Sequence, residues 1–377
     1  MPSSLDNLRV LDFSRVLAGP FATMMLADLG ATVTKVERPG TGDDTRSWGP
    51  PYDEYGQATY FQSVNRNKDS LVLDLADPDD LAYAQRLAAN ADVVVENFRP
   101  GVMERLGLGY DELRADNPAL VYCSITGFGR DAGAALPGYD LLIQALGGLM
   151  SITGEPDGEP QKVGVALVDV LAGLFSTVGI LAALRHRDRT GAGQRVEVNL
   201  LSSLLAALVN QGAAYTAAGA IPSRMGNQHP SIAPYELLRT GDGDLVLAVG
   251  TDRQFASLCT VLGIPDLALD ERFSSNPRRV AHRTELRATL ENALATRPAS
   301  AWAASLTDAG VPAGVVNDLA TAFRLAADLG LAPIVDLPRP DGTTVALTRN
   351  PISLSETPPV YRSAPPRLGL YEIDTIS

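Results

Sequence analysis

Short apolar runs alternate with amphipathic stretches from the N-terminus to residue 201. LRVLDF (8–13) reads as a strand, followed by a Gly-Pro turn and the helix-like FATMMLADLG. ATVTKVE (31–37) is the next strand, and Gly30 between them suits a helix stop. SLVLDL (70–75) and ADVVVENF (91–98) are two further strands, separated by the helical pattern PDDLAYAQRLAANA. ALVYCSITGFG (119–129) and QRVEVNLL (194–201) each follow another helix. Strand, helix and strand repeated in this way predict an α/β fold whose parallel sheet is covered on both faces.

The pattern then changes. A helical stretch from Asn199 to Ala217 leads into GAIPSRMGNQHPS, which reads as a linker. ELLRTGDGDLVLAVG predicts a hairpin about Gly241-Asp242-Gly243, and helices follow as far as Ala327. Strand-like VALT (345–348) and a Pro-rich end close the chain. At 377 residues the chain exceeds the roughly 250–300 at which one core stops growing, so two units are expected. Their expected bounds are a large domain over 1–200, a linker over 201–224, a small α+β domain over 225–327, and a segment over 328–377 that returns to the large domain.

Composition narrows the function. A net charge of −13 disfavours nucleic acid and anionic membranes as partners, and requires local basic groups for any anionic ligand. The apolar stretch from Leu167 to Leu184 is interrupted by Asp169, Gly173 and Ser176, so no span across a membrane is expected. MPSSLDNLRV has neither the basic nor the apolar region of a secretory signal, which makes the cytoplasm the expected location. Cys123 and Cys259 lie in apolar segments and read as buried thiols. His186, His229 and His282 share no ligand spacing, so no metal is expected.

The sequence lacks a P-loop and a Gly-x-Ser-x-Gly elbow. Gly127-Phe128-Gly129 with Gly133 misses the dinucleotide fingerprint by one place. Asp169 is more telling, because its neighbours in VALVDVLAGL are all apolar or glycine and a carboxylate there is costly unless paired, protonated or used. Residue types alone favour a helix cap, since Asp is common there. Arg15, Arg99 and Arg105 follow predicted strands, on the edge where α/β sheets bind ligands, with surface or salt-bridge arginine as the alternative. GTGDDTRSWGPP (40–51) is a polar loop bearing Arg46 and Trp48.

Taken together, LDFSRVLAGPFATMMLADLGATVTKVERPGTGDDTR, SVNRNKDSLVLDL, DVVVENFRPG, SITGFG, PGYD, VGVALVDVLAGL, TGAGQRVEVNLLSS and HPSIAPYELLRTGDGDLVLAVG resemble the family III (CaiB/BaiF type) CoA transferases. GDDTRSWGPP, NLLSS and HPSIAPYE look most like the succinyl-CoA:glutarate and hydroxymethylglutarate branch. The resemblance implies a Rossmann-like large domain, a smaller α+β domain and an interlocked homodimer. It places a nucleophile on Asp169, reversing the preference for a cap. It places CoA contacts on Val16, Leu17, Ala18, Arg38, Leu73, Asn97, Phe98, Arg99, Arg105 and Tyr139. Acyl-CoA and a carboxylic acid are then the substrates, with no tightly bound cofactor. Arg15 and Arg46 are candidates for the carboxylate of a dicarboxylic substrate. The related α-methylacyl-CoA racemases carry Gly-His-Asp where this chain has Gly138-Tyr139-Asp140, which leaves racemisation, or CoA binding without catalysis, as the alternatives. The chain end, APPRLGLYEIDTIS, also departs from the family pattern.

Overall fold

The computed structural model describes residues 3–369, so the departure beyond Gly369 lies outside the described residues. The chain divides into two compact units, one of Met1–Leu149, Lys162–Ala220 and Ala332–Ser377, the other of Met150–Gln161 and Ile221–Leu331.

The first unit is built on six parallel strands: β1 (Arg9–Asp12), β2 (Thr32–Glu37), β3 (Lys68–Val72), β4 (Val93–Glu96), β5 (Val121–Thr126) and β6 (Arg195–Asn199). Their order, β3-β2-β1-β4-β5-β6, is that of a doubly wound Rossmann sheet. The strand period of two sorts side chains into two cores. Val10, Val33, Val93, Val95, Val121, Cys123 and Ile125 join one face. Leu11, Val36, Leu71, Val94 and Tyr122 join the other. Helices Ala18–Asp28 and Leu167–Thr190 cover the first face through Leu26, Val168, Ala172 and Ile180. Helices Pro78–Ala89 and Tyr110–Asp116 cover the second through Ala84, Ala88 and Leu113.

Local chemistry sets the ends of these elements. Asp77 accepts from the amides of Asp79 and Asp80 and Pro78 follows it, an ordinary N-terminal start. Gly191, at φ 76°, ends the long helix in the left-handed conformation that glycine favours. That helix is long and apolar enough to span a bilayer by composition, yet its Val168, Ala172, Ile180 and Ala183 are core residues of this unit. The helical stretch expected from Asn199 forms as two helices, Leu200–Ala207 and Val209–Ala218, the second opening on Val209 at φ 41°. Both lie within the first unit, whereas the sequence pattern alone put residues 201–218 in the linker.

The second unit carries an antiparallel sheet in the order β7-β8-β9, from β7 (Tyr235–Arg239), β8 (Asp244–Ala248) and β9 (Ala313–Val315). Leu238, Leu245, Phe255, Leu290 and Trp302 form its core. After it, β10 (Ile334–Pro338) and β11 (Thr344–Thr348) pair as a hairpin. The chain then straps the first unit. Asp28, at the end of the first helix, takes bidentate bonds from Arg66 (2.9 and 2.6 Å) and further bonds from Asn67 and Asn350. Arg362 donates to the carbonyls of Gly30 and Ala31 beyond it.

The first helix packs tightly on the long helix at Gly173, where an added Cβ would lie 2.7 Å from the Ala18 carbonyl and 3.1 Å from the Phe21 ring. Gly173→Ala is expected to destabilise the protein by about 1–3 kcal/mol, seen as a lower urea midpoint with an unchanged slope.

Candidate active site

In the strand order β3-β2-β1-β4-β5-β6, the connections leave β1 and β4 in opposite directions, which opens a crevice at their carboxyl ends. A cavity of about 340 Å³ sits there. The turn Arg15–Ala18 after β1 and Asn97–Pro100 after β4 form two walls; Gly127–Gly129 after β5, the segment Leu136–Tyr139 and Asp169 complete it. Gly127 and Gly138 pack backbone against backbone, since a Cβ on either would lie 2.5 Å from the other's Cα. Only glycine permits this contact, and it draws two of the lining segments together.

Asp169 occupies the first turn of the long helix. It does not cap that helix. The carboxylate of Asp140 accepts from the amides of Val168 (2.8 Å) and Asp169 (3.3 Å) and takes over that duty. Among the described residues no donor reaches the Asp169 side chain, and burial, with the Asp140 charge behind it, pushes its carboxyl up to about 7. Tyr60 stands in the same field: burial first, then Asp169 and Asp140, raise its phenol. Its ring meets the edge of Trp48 at 5.3 Å.

The turn after β1 is held from every side. Asn97 accepts from the Arg15 amide (2.8 Å) and donates to the Arg15 carbonyl (2.7 Å). Lys35 donates to the Ser14 carbonyl (2.7 Å), and both oxygens of Asp43 stand 3.3 Å from the Val16 amide. Val16 has φ 70°, a left-handed conformation that a β-branched residue rarely adopts. The first helix starts directly after this turn without a side-chain cap, and no acceptor among the described residues meets the amides of Leu17, Ala18 or Gly19.

Of the expected site residues, Arg15, Val16, Leu17, Ala18, Asn97, Phe98, Arg99, Tyr139 and Asp169 line the one cavity. Arg15 lies over the Phe98 ring at 4.8 Å, and burial followed by the nearby Arg38 lowers its pKa. Four residues stand apart from the lining. Arg38 pairs with Asp44, itself a lining residue, and donates to Thr41. Arg46 directs a bidentate pair at Glu37 (2.7 and 2.6 Å), bonds the Pro366 carbonyl and covers the Phe61 ring, so its donors are committed within the fold. Leu73 is buried beyond β3. Arg105 is exposed on the short helix Val102–Arg105. No group of three or more His, Cys, Asp or Glu able to hold a metal occurs among the described residues. Burial pushes the thiol of Cys123 to about 12 and that of Cys259 to about 11, so both are inert.

The sequence profile of CoA-transferase family III matches residues 5–371. The chain belongs to that family. A succinate–glutarate CoA-transferase of Agrobacterium fabrum is 45% identical over 380 residues, which are 99% of this chain and 95% of that one. An acetyl-CoA:oxalate CoA-transferase of Acetobacter aceti is 45% identical over 322 residues, 85% of this chain and 82% of its own. The crystal structure of a CAIB/BAIF family protein from Brucella suis matches with a TM-score of 0.87 and 44% identity, covering 98% of this chain and 97% of that one. This protein is therefore a CoA-transferase with the family's large parallel-sheet domain and smaller α+β domain.

Three residues of this CoA-transferase site escape a reading by sequence. Asp140 stands in the PGYD segment, where attention falls on Tyr139, and its capping role depends on a helix that begins far along the chain. Tyr60 has no local pattern to single it out, and Asp43 stands in the polar loop 40–51, where Arg46 and Trp48 are the more conspicuous residues; both act through tertiary packing.

A carboxylate nucleophile must be ionised to attack. Were Asp169 the attacking group, kcat/KM for acyl-CoA would rise about tenfold per pH unit below its pKa of about 7 and level above it. Glu96, which accepts from the Phe98 amide, is also pushed up to about 7 by burial. Asp140→Asn separates the two groups. Loss of the neighbouring negative charge lowers the Asp169 pKa, so the rising limb of the profile should move to lower pH; an unmoved limb assigns it to another group.

Proposed function

We propose that this enzyme transfers CoA from an acyl-CoA, succinyl-CoA in the first instance, to a dicarboxylic acid through covalent intermediates on Asp169. One observation carries the reading: a single cavity holds a carboxylate with no hydrogen-bond donor and a guanidinium, Arg15, with no ion pair among the described residues. An unpaired carboxylate suits nucleophilic attack, and an unpaired cation nearby suits a substrate that carries a second carboxylate. The acceptors named for the two relatives, glutarate and oxalate, share that second carboxylate and differ in length.

In this mechanism an oxygen of Asp169 attacks the thioester carbonyl and expels CoA thiolate, leaving a mixed anhydride. The thiolate attacks the Asp169 carbonyl of that anhydride, releasing the first acid and forming an aspartyl-CoA thioester. The acceptor carboxylate attacks this thioester and expels the thiolate again. The thiolate then attacks the new acyl carbonyl, giving the product acyl-CoA and free Asp169. No water enters, and each bond broken is replaced by one of similar activation. The free amides of Leu17 and Ala18, at the positive end of the first helix, are the donors assigned to the tetrahedral oxyanions.

The cavity holds only part of a CoA molecule, so the adenosine and phosphate end lies outside it. Arg38, Arg99 and Arg105 are assigned to that end, with Arg99 at the cavity edge. Leu73 and Arg46 act from behind the walls. Tyr139 lies in the place of a racemase histidine, and no histidine lines the cavity, which favours transfer over α-proton exchange. Leu174, Phe175 and Val178 leave an apolar stripe open along the long helix, and a second copy of the chain is the proposed cover. Two buried free thiols agree with a reducing cytoplasm.

Asp169→Ala should abolish CoA transfer; transfer at the normal rate refutes the mechanism. Arg15→Leu should lower kcat/KM for succinate or glutarate by about tenfold to a hundredfold, the scale of a lost charge-assisted pair. A monocarboxylate acceptor should lose far less. Equal losses for the two acceptor classes would remove Arg15 from the distal carboxylate.

A further inference from the structure

Behind the turn after β1 lie four charges with no exposed surface. Lys68 pairs with Asp12 at 3.1 Å, and Lys35 pairs with Asp43 at 2.9 Å. Lys68 also donates to the Pro20 carbonyl and the Asn65 side chain, and Asp12 accepts from Ser14 and Thr23. A buried ion pair is a poor source of stability compared with apolar packing, so two pairs behind one turn call for another explanation.

We infer that Asp43, held by Lys35, is a positioning residue that keeps Val16 in its left-handed conformation and thereby sets the turn that faces Asp169. Asp43 joins the turn after β1 to the polar loop that follows β2. It caps the short helix Asp44–Ser47 by accepting from the Thr45 amide (3.0 Å) and hydroxyl (2.8 Å), and the same carboxylate receives the Val16 amide. Asp44, next in sequence, lines the cavity with Arg15. A single carboxylate therefore fixes where the polar loop stands relative to the turn bearing Arg15, Leu17 and Ala18. Without it, Val16 can relax to negative φ, which redirects the amides of the following residues and the Arg15 side chain. Steric strain in the turn and electrostatic restraint behind it are thus matched.

This inference rests on the reading of Asp169 as the site of transfer, and the loss of activity in Asp169→Ala tests that reading by itself. The test of the inference is a rescue. Asp43→Asn is expected to lower kcat/KM for acyl-CoA by tenfold or more while the far-UV circular dichroism stays native. Adding Val16→Gly, which accepts positive φ without a clamp, should restore most of that loss on a logarithmic scale, whereas adding Val16→Ala should not. A double variant with Gly no better than Asp43→Asn alone, or an Asp43→Asn enzyme with unaltered kinetics, overturns the proposal. A second measurement holds even if Asp43→Asn fails to fold: in the otherwise native chain, Val16→Gly should melt above Val16→Ala, the reverse of the order at an ordinary position. Alanine melting at or above glycine shows that Val16 is not strained and overturns the inference.

Discussion

The site depends on one half-buried carboxylate that, among the described residues, has no hydrogen-bond partner. A carboxylate paired with an arginine or bonded by several amides is a poor nucleophile, and one exposed to solvent yields intermediates that hydrolyse. Asp169 stands half-buried in the first turn of an apolar helix whose end is capped by another residue, Asp140. The division of labour is specific: Asp140 accepts from the helix amides, while Asp169 meets no donor among the described residues and has a raised pKa. The ionised fraction near neutral pH is smaller in consequence, but the ion that forms is weakly solvated and correspondingly reactive.

A rigid frame is needed to hold such a group against its substrate. The six-stranded sheet supplies it at the point where the strand order reverses, and the long helix contributes both Asp169 and core side chains such as Val168 and Ala172. Around the first turn the fold accepts four buried charges and a left-handed valine, both unfavourable on their own. Their coincidence at one cavity wall is what ties the local strain to the chemistry.

Much of this architecture can be read from residue order. The strands over 8–13, 31–37, 91–98, 119–129 and 194–201 contain β1, β2, β4, β5 and β6, because the alternation of apolar runs with helical stretches follows the βαβ unit. The strand expected at 70–75 begins earlier, at Lys68, since Lys68 is buried by its pairing with Asp12, which a hydropathy pattern does not anticipate. Met150–Gln161, largely polar, gives no sign in its residue order of belonging with residues from Ile221 onward. At the site, the resemblance to a family pointed to Asp169 and to residues 16–18 and 97–99, Arg15 came from its place after the first strand, and residue types alone favoured a cap at Asp169. What stayed hidden was the supporting chemistry: Asp43 and Asp140 act through bonds to residues 27 and 28–29 positions away.

The central claim is that Asp169 itself carries CoA, and direct observation of that adduct tests it. The enzyme is incubated with succinyl-CoA in the absence of an acceptor acid, treated with hydroxylamine, digested and analysed by mass spectrometry. The account predicts a hydroxamate on the peptide bearing Asp169 and on no other carboxylate, with none in Asp169→Ala. Turnover with an unmodified Asp169, or a trapped adduct at a different residue, would contradict it.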